Sequence, residues 1–231
     1  QGATASRAQG DIDIEDTLGL FDGVNKALAD KAIRAIVLTG MHRAFIAGAD
    51  ISEFGKAASE GAGLHEVLTK MEGSTKPIIA AINGTAFGGG LEVALCCDYR
   101  VAAATAPVGL PEVKLGLLPG AGGTQRLPRL IGVEQSVAAI TSGDPILAPA
   151  ALKMGIVDEV ATGDVVEAAI KFADKVLSAG GKTRKIRDLE EVIARDRANP
   201  GVIDRARGTT AEDTSRPVCA RTDSQVHRSS L

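Results

Sequence analysis

Two glutamates and a run of three glycines carry the chemistry legible in this chain. Asn83-Gly84-Thr85-Ala86-Phe87-Gly88-Gly89-Gly90-Leu91-Glu92 follows the apolar run Pro77-Ile78-Ile79-Ala80-Ala81-Ile82 and leads into Val93-Ala94-Leu95-Cys96-Cys97. This order predicts a strand, a glycine turn and a helix start, with Glu92 in the helix's first turn. Three consecutive glycines strip side chains from the backbone and let a ligand approach the amides closely. Amides at a helix N-terminus are unpaired donors in a positive field and suit an anion. Such donors beside a positioned carboxylate can hold a developing oxyanion and move protons next to a carbonyl. A second acid, Glu112, follows Pro111 in a stretch rich in Gly and Pro. Taken singly, the glycines read as a tight strand-to-helix turn, Glu92 as an acid that stabilises the helix dipole, and Glu112 as a solvated loop acid.

The elements that must position these groups follow from apolar periodicity. Leu18, Phe21, Val24 and Leu28 predict a helix over 16–30, and the run 33–40 reads as a buried strand ending at Gly40. A loop is expected over 41–50, then a helix carrying Leu64, Val67, Leu68 and Met71 and ending near Gly73. Strands are expected at 77–83 and 99–103, with a helix over 91–97 between them. Residues 108–123 read as loop or short strand, and helices are expected over 124–131, 133–141 and 148–155. Residues 164–179 form the clearest amphipathic helix. Strands alternating with helices imply an α/β class with largely parallel pairing. Residues 1–15 are small and polar and carry no assignable element, and 186–197 reads as a charged, solvated helix. After Gly208 the chain is polar and patternless, and disorder is expected over 209–231.

Composition excludes several classes. The net charge of −3, with 3% aromatic residues and no Trp, disfavours a nucleic-acid partner. No apolar stretch is long enough to span a membrane, and no hydrophobic signal core opens the sequence, so a bacterial cytoplasmic location is expected. Cys96 and Cys97 read as small buried hydrophobes, and Cys219 stands alone in the polar tail. With no CxxC and with His42, His65 and His227 scattered, no metal site is expected; His65 reads as a helix-surface residue. No glycine pattern for a dinucleotide or nucleoside triphosphate is present. Lys182, Arg184, Lys185 and Arg187 read as a solvated basic face, with contact to a ligand's phosphate as the alternative.

Four segments together resemble the enoyl-CoA hydratase (crotonase) family: Phe45-Ile46-Ala47-Gly48-Ala49-Asp50-Ile51, the stretch from Ile82 to Glu92, Leu110-Pro111-Glu112-Val113-Lys114-Leu115-Gly116, and Leu118-Pro119-Gly120-Ala121-Gly122-Gly123-Thr124-Gln125-Arg126-Leu127. Their order and spacing cover roughly residues 33–177. The resemblance implies a crotonase fold, a spiral of ββα units with a helical C-terminal region. It implies that the amides of Ala49 and Gly89 bind the thioester oxygen of an acyl-CoA. By the same resemblance Glu92 activates water, Glu112 delivers a proton to the α-carbon, and Gly120 lies near the catalytic water or is an ordinary loop glycine. Gly48, Asp50 and Gly88 belong to the substrate-binding loops, Asp50 bracing its own, and Ala47 and Ile51 fall near the CoA groove.

The implied activity is hydration of a trans-2-enoyl-CoA to a 3-hydroxyacyl-CoA in fatty acid oxidation. No cofactor or metal is implied, because CoA arrives with the substrate. A double-bond isomerase using Glu112 alone is one alternative, and a non-catalytic binding or assembly module is another. The expected organisation is a catalytic domain over 1–180, a charged helical linker over 181–208 and a tail over 209–231. Residues 186–189 resemble the linker of multifunctional β-oxidation proteins, so the expected assembly is a homo-oligomer (a trimer or dimer of trimers) or a part of a larger fusion. Residues 1–15 depart from the family's opening strands, which puts the sheet edge and the adenine pocket in question.

Overall fold

A computed structural model describes residues 4–8, 14–40, 44–47, 63–199 and 201–213. The chain runs through β1 (Thr4–Ala8), α1 (Ile14–Ala29), β2 (Ile36–Gly40), β3 (Ala44–Ile46), α2 (Leu64–Glu72), β4 (Ile78–Ile82), β5 (Thr85–Phe87) and α3 (Gly89–Cys96). It continues through β6 (Tyr99–Ala103), β7 (Pro107–Gly109), a 3-10 turn (Pro111–Leu115), α4 (Gly123–Ile131), α5 (Val133–Ser142), β8 (Ile146–Leu147), α6 (Ala148–Met154) and β9 (Glu159–Ala161). The last elements are α7 (Val165–Ser178), a 3-10 turn (Ile186–Asp188), α8 (Glu191–Arg197) and α9 (Gly201–Asp213).

The strands form two sheets. One is parallel throughout, in the order β1-β2-β4-β6-β9; the other runs β3-β5-β7-β8, antiparallel only at β7–β8. Strands β2, β4 and β6 lie in the first sheet and the strand after each, β3, β5 and β7, in the second. Every residue of β2 and β4 is buried, which explains their unbroken apolar runs: a parallel strand is covered on both faces. Val37, Ile79, Ala81 and Val101 pack under Val165, Ala169 and Ala173 of α7. The alternate positions Ile36, Leu38, Ile78, Ala80 and Ile82 join the main core with α1, α2 and α3. Asp164 caps α7 by accepting the Glu167 amide at 2.9 Å.

Helix α3 is the centre of this core. All residues from Gly90 to Cys96 are buried, and Glu92 is the single charged one. Gly90 lets α3 press on β3, because an added Cβ would run into the Ile46 carbonyl. A Gly→Ala change inside a helix ordinarily gains about 0.5–1 kcal/mol. Here Gly90→Ala is expected to lose about 1–3 kcal/mol through overpacking, read as a lower urea midpoint; a gain in stability would contradict this contact.

Five short strands, β1, β3, β5, β8 and β9, escaped the periodicity. β1 occupies part of the segment that carried no assignable element, and it pairs in parallel with β2, so β2 is not the sheet edge. β3 lies inside the expected 41–50 loop and β5 inside the expected glycine turn. β9 completes the other edge of the first sheet. Asn83 helps place β3: its Oδ1 accepts the Gly40 amide at 3.1 Å and its Nδ2 donates to the Ala44 carbonyl at 3.2 Å.

The C-terminal region corrects three expectations. The helix expected over 186–197 divides into a 3-10 turn, with Ile186 buried, and α8. The basic cluster is a solvated face only in part: Lys182 and Arg187 are exposed, but Lys185 keeps only 7% of its side chain exposed and pairs at 2.9 Å with the fully buried Asp98. The same carboxylate accepts the amides of Ile78 at 2.8 Å and Arg184 at 2.6 Å. The Arg184 guanidinium pairs with Asp158 and lies over the Tyr99 ring, 4.8 Å from its centroid. Arg187 pairs with Glu72 at 3.5 Å. Helix α9 runs to Asp213, five residues into the stretch expected to lack order; residues 214–231 lie outside the described residues. Among the described residues, no helix is long and apolar enough to cross a membrane.

Candidate active site

The four motif segments supply the walls of one pocket of about 550 Å³. Ala47, Gly88, Gly89, Glu92, Glu112 and Gly120 all line it. Gly48, Ala49, Asp50 and Ile51 lie outside the described residues, so the oxyanion contact expected from Ala49 is not described.

Gly88 makes the strand-to-helix connection with φ 54° and ψ −125°, a backbone region open to glycine and strained for other residues. Its Cα faces the second acid, where an added Cβ would lie 3.1 Å from Glu112 Oε1. Gly89 follows as the first residue of α3, with its peptide at the helix's positive end. One turn on, Glu92 is 2% exposed and turns its carboxylate toward the start of α4. Glu92 Oε1 accepts the amides of Ala121 at 2.8 Å and Gly123 at 2.7 Å. The Gly123 amide is an unpaired donor at the start of α4 and the Ala121 amide lies just ahead of it, so an α3 carboxylate caps α4. Among the described residues, no hydrogen bond engages Glu92 Oε2.

Glu112 is held differently. It sits in the 3-10 turn that Pro111 opens and Gly116 closes in the left-handed region, at φ 72°. Its Oε2 is buried with no hydrogen-bond partner among the described residues. Burial pushes the Glu112 carboxyl above its ordinary value, its own amide pulls it back in part, and the charge of Glu92 adds to the rise. One acid therefore has an oxygen fixed by two N–H donors, while burial shifts its neighbour toward the neutral form. A fixed carboxylate and a second carboxyl on one pocket can act on the same water and substrate as proton acceptor and proton donor.

Sequence reasoning missed several pocket residues. His65 is exposed, as expected for a helix surface, but it lines the pocket, and its Nε2 donates to the Gly120 carbonyl at 3.1 Å. Leu64, Phe87, Leu115, Leu117 and Leu118 add an apolar wall, with Leu118 76% exposed. Large exposed leucines beside the second acid were the available signal, because a soluble loop rarely presents three without an apolar ligand or partner. Cys96 and Cys97 are free and buried, and burial pushes both thiols up, Cys97 to about 12, as inert core residues require. Among the described residues no cluster of His, Cys, Asp or Glu is placed to hold a metal ion.

Alternating parallel strands in two sheets, with a buried central helix and a pocket at its N-terminus, define the crotonase fold. The enoyl-CoA hydratase of Bacillus anthracis superposes with a TM-score of 0.67 and 32% identity, covering 89% of this chain and 81% of that one. The family model for enoyl-CoA hydratase/isomerase matches residues 14–202, and the chain belongs to that family. The peroxisomal bifunctional enzyme of Homo sapiens is 52% identical over 165 residues, which is 71% of this chain and 23% of that protein. The crotonyl-CoA hydratase of Syntrophomonas wolfei is 36% identical over 216 residues, 89% of this chain and 80% of that protein. The chain thus spans about a quarter of the length of the bifunctional relatives and most of the length of the crotonyl-CoA hydratase.

Proposed function

We propose that the chain hydrates trans-2-enoyl-CoA thioesters to 3-hydroxyacyl-CoA in fatty acid oxidation. The observation that carries this is the meeting of Glu92 and Glu112 on one pocket with Gly89, the two acids in opposite environments. Glu92 takes a proton from water as the water oxygen bonds to C3. The π electrons of C2=C3 move through the carbonyl carbon to the thioester oxygen. The resulting enolate is held by the amides of Gly89 and Ala49, a kind of contact worth about 3–4 kcal/mol in the transition state. Glu112 then gives its proton to C2, so that one water has added across the double bond. A proton passed from Glu92 back to Glu112 restores both acids. CoA enters as part of the substrate, and the apolar wall of Leu115, Leu117 and Leu118 receives the acyl chain.

The relatives' names support this choice of reaction, one being a crotonyl-CoA hydratase and another a bifunctional enzyme. In the same reading the chain works as a homo-oligomer or as the hydratase part of a larger fusion, in a bacterial cytoplasm. The catalytic unit is 1–180, and 181–208 is a connecting region. The test is a spectrophotometric assay following loss of the conjugated enoyl thioester, across short, medium and long chains. Conversion to the 3-hydroxy product is expected. No conversion at any length, with no calorimetric binding of acetoacetyl-CoA, would identify a non-catalytic module instead.

A further inference from the structure

We infer that Arg126, anchored by Glu72, is a positioning residue that aims the Ala121 and Gly123 amides at Glu92. A continuous path connects the four. Arg126 Nε binds Glu72 Oε1 of α2 at 2.8 Å, in a pair whose side chains are only 12% and 9% exposed. Arg126 Nη1 donates to the Ala121 carbonyl at 2.6 Å. The amide of that same Ala121, and that of Gly123 two residues on, are the two donors to Glu92 Oε1. Between them Gly122 stands at φ 97°, and an added Cβ there would land on Arg126 Nη1. The glycine thus opens the space through which the guanidinium reaches the loop. His65, also from α2, holds the preceding carbonyl, Gly120. Helix α2 therefore reaches two consecutive carbonyls of this loop, Gly120 directly through His65 and Ala121 through the Glu72–Arg126 pair.

The physical consequence is directional. A carbonyl held by a buried, charge-paired guanidinium cannot rotate without breaking charge-assisted hydrogen bonds, and its planar unit fixes the Cα atoms of Ala121 and Gly122, from which the two flanking peptides carry their amides to Glu92. Removing Arg126 frees that plane, so the amides of Ala121 and Gly123 leave their line with Glu92 while the substrate-binding walls stay in place. Arg126 itself does not line the pocket, so its influence on chemistry runs through the loop.

The inference rests on the role proposed for Glu92 as the base, and the experiment separates the two. Full-length Arg126→Met, Arg126→Lys and Glu72→Gln are compared with the unaltered chain in crotonyl-CoA hydration and in amide proton spectra by nuclear magnetic resonance. The Ala121 and Gly123 resonances are identified by their response to Glu92→Gln. For Arg126→Met, kcat is expected to fall about tenfold to a hundredfold with KM within about threefold, a loss typical of misplaced catalytic groups. Both amide resonances should move upfield, and Arg126→Lys and Glu72→Gln should fall between the extremes. Unmoved resonances, a rise in KM with kcat intact, or activity that falls only with the folded fraction would each overturn the inference. Should Arg126→Met not fold, Glu72→Gln with unmoved resonances and normal kcat overturns it. If the unaltered chain hydrates nothing, the hydratase reading falls, while the amide resonances still decide the role of Arg126.

Discussion

Replacing Glu92 with Gln is expected to lower kcat for enoyl-CoA hydration by about 10²–10⁴-fold, the range a positioned general base supplies. The variant should fold normally. A glutamine side-chain oxygen can accept the Ala121 and Gly123 amides as the carboxylate does, so the two donors that start α4 keep a partner. The neutral amide cannot take a proton from water, and Glu112, the other acid lining the pocket among the described residues, is tilted toward its neutral form by burial. The loss should therefore appear in kcat with little change in KM or in melting temperature. Glu112→Gln should also lose hydration, since its proton is needed at C2. The pair of variants divides the two enzymatic readings. An isomerase that moves protons through Glu112 alone would keep its activity in Glu92→Gln, and full hydration of crotonyl-CoA by that variant would remove Glu92 from the mechanism.

Much of this site was legible because its requirements are local. A helix that begins against another strand's backbone needs glycine there, and Gly90 against the Ile46 carbonyl is that case. An acid in the first turn after such glycines, and another after Pro111 in a short turn, announce themselves by spacing. The long buried elements were equally plain: β2, β4 and β6 read as apolar runs, and α7 showed its stripe between Asp164 and Ala179. Three-residue strands did not show, because β3 and β5 are too short for a periodicity and sit among glycines. What holds the site in register was also hidden. Arg126 and Glu72 are 54 residues apart and each looks like an ordinary helix-surface charge until α2 and α4 come together. The unpartnered Glu112 oxygen is a property of the assembled pocket and of no sequence window.

The basic cluster near residue 185 shows the same limit, and it leads to the largest expected effect on stability. As a solvated pair, Asp98 and Lys185 would contribute about 1 kcal/mol or less. Their burial, 0% and 7% exposed, changes the expectation. Asp98 holds three donors from two segments at once: the amide opening β4, and the Arg184 amide and Lys185 ammonium of the C-terminal region. Asp98→Ala leaves a buried cation and two amides without that partner. Breaking a buried pair from one side typically costs about 3–5 kcal/mol. At about 2–4 °C per kcal/mol for a chain of this length, the melting temperature should fall by about 6–20 °C. Much of that loss comes from the stranded ammonium, so Asp98→Ala combined with Lys185→Met should be more stable than Asp98→Ala alone. A single-variant loss below about 1 kcal/mol, or no recovery in the double variant, would mean that the C-terminal region is not locked to β4 through this carboxylate.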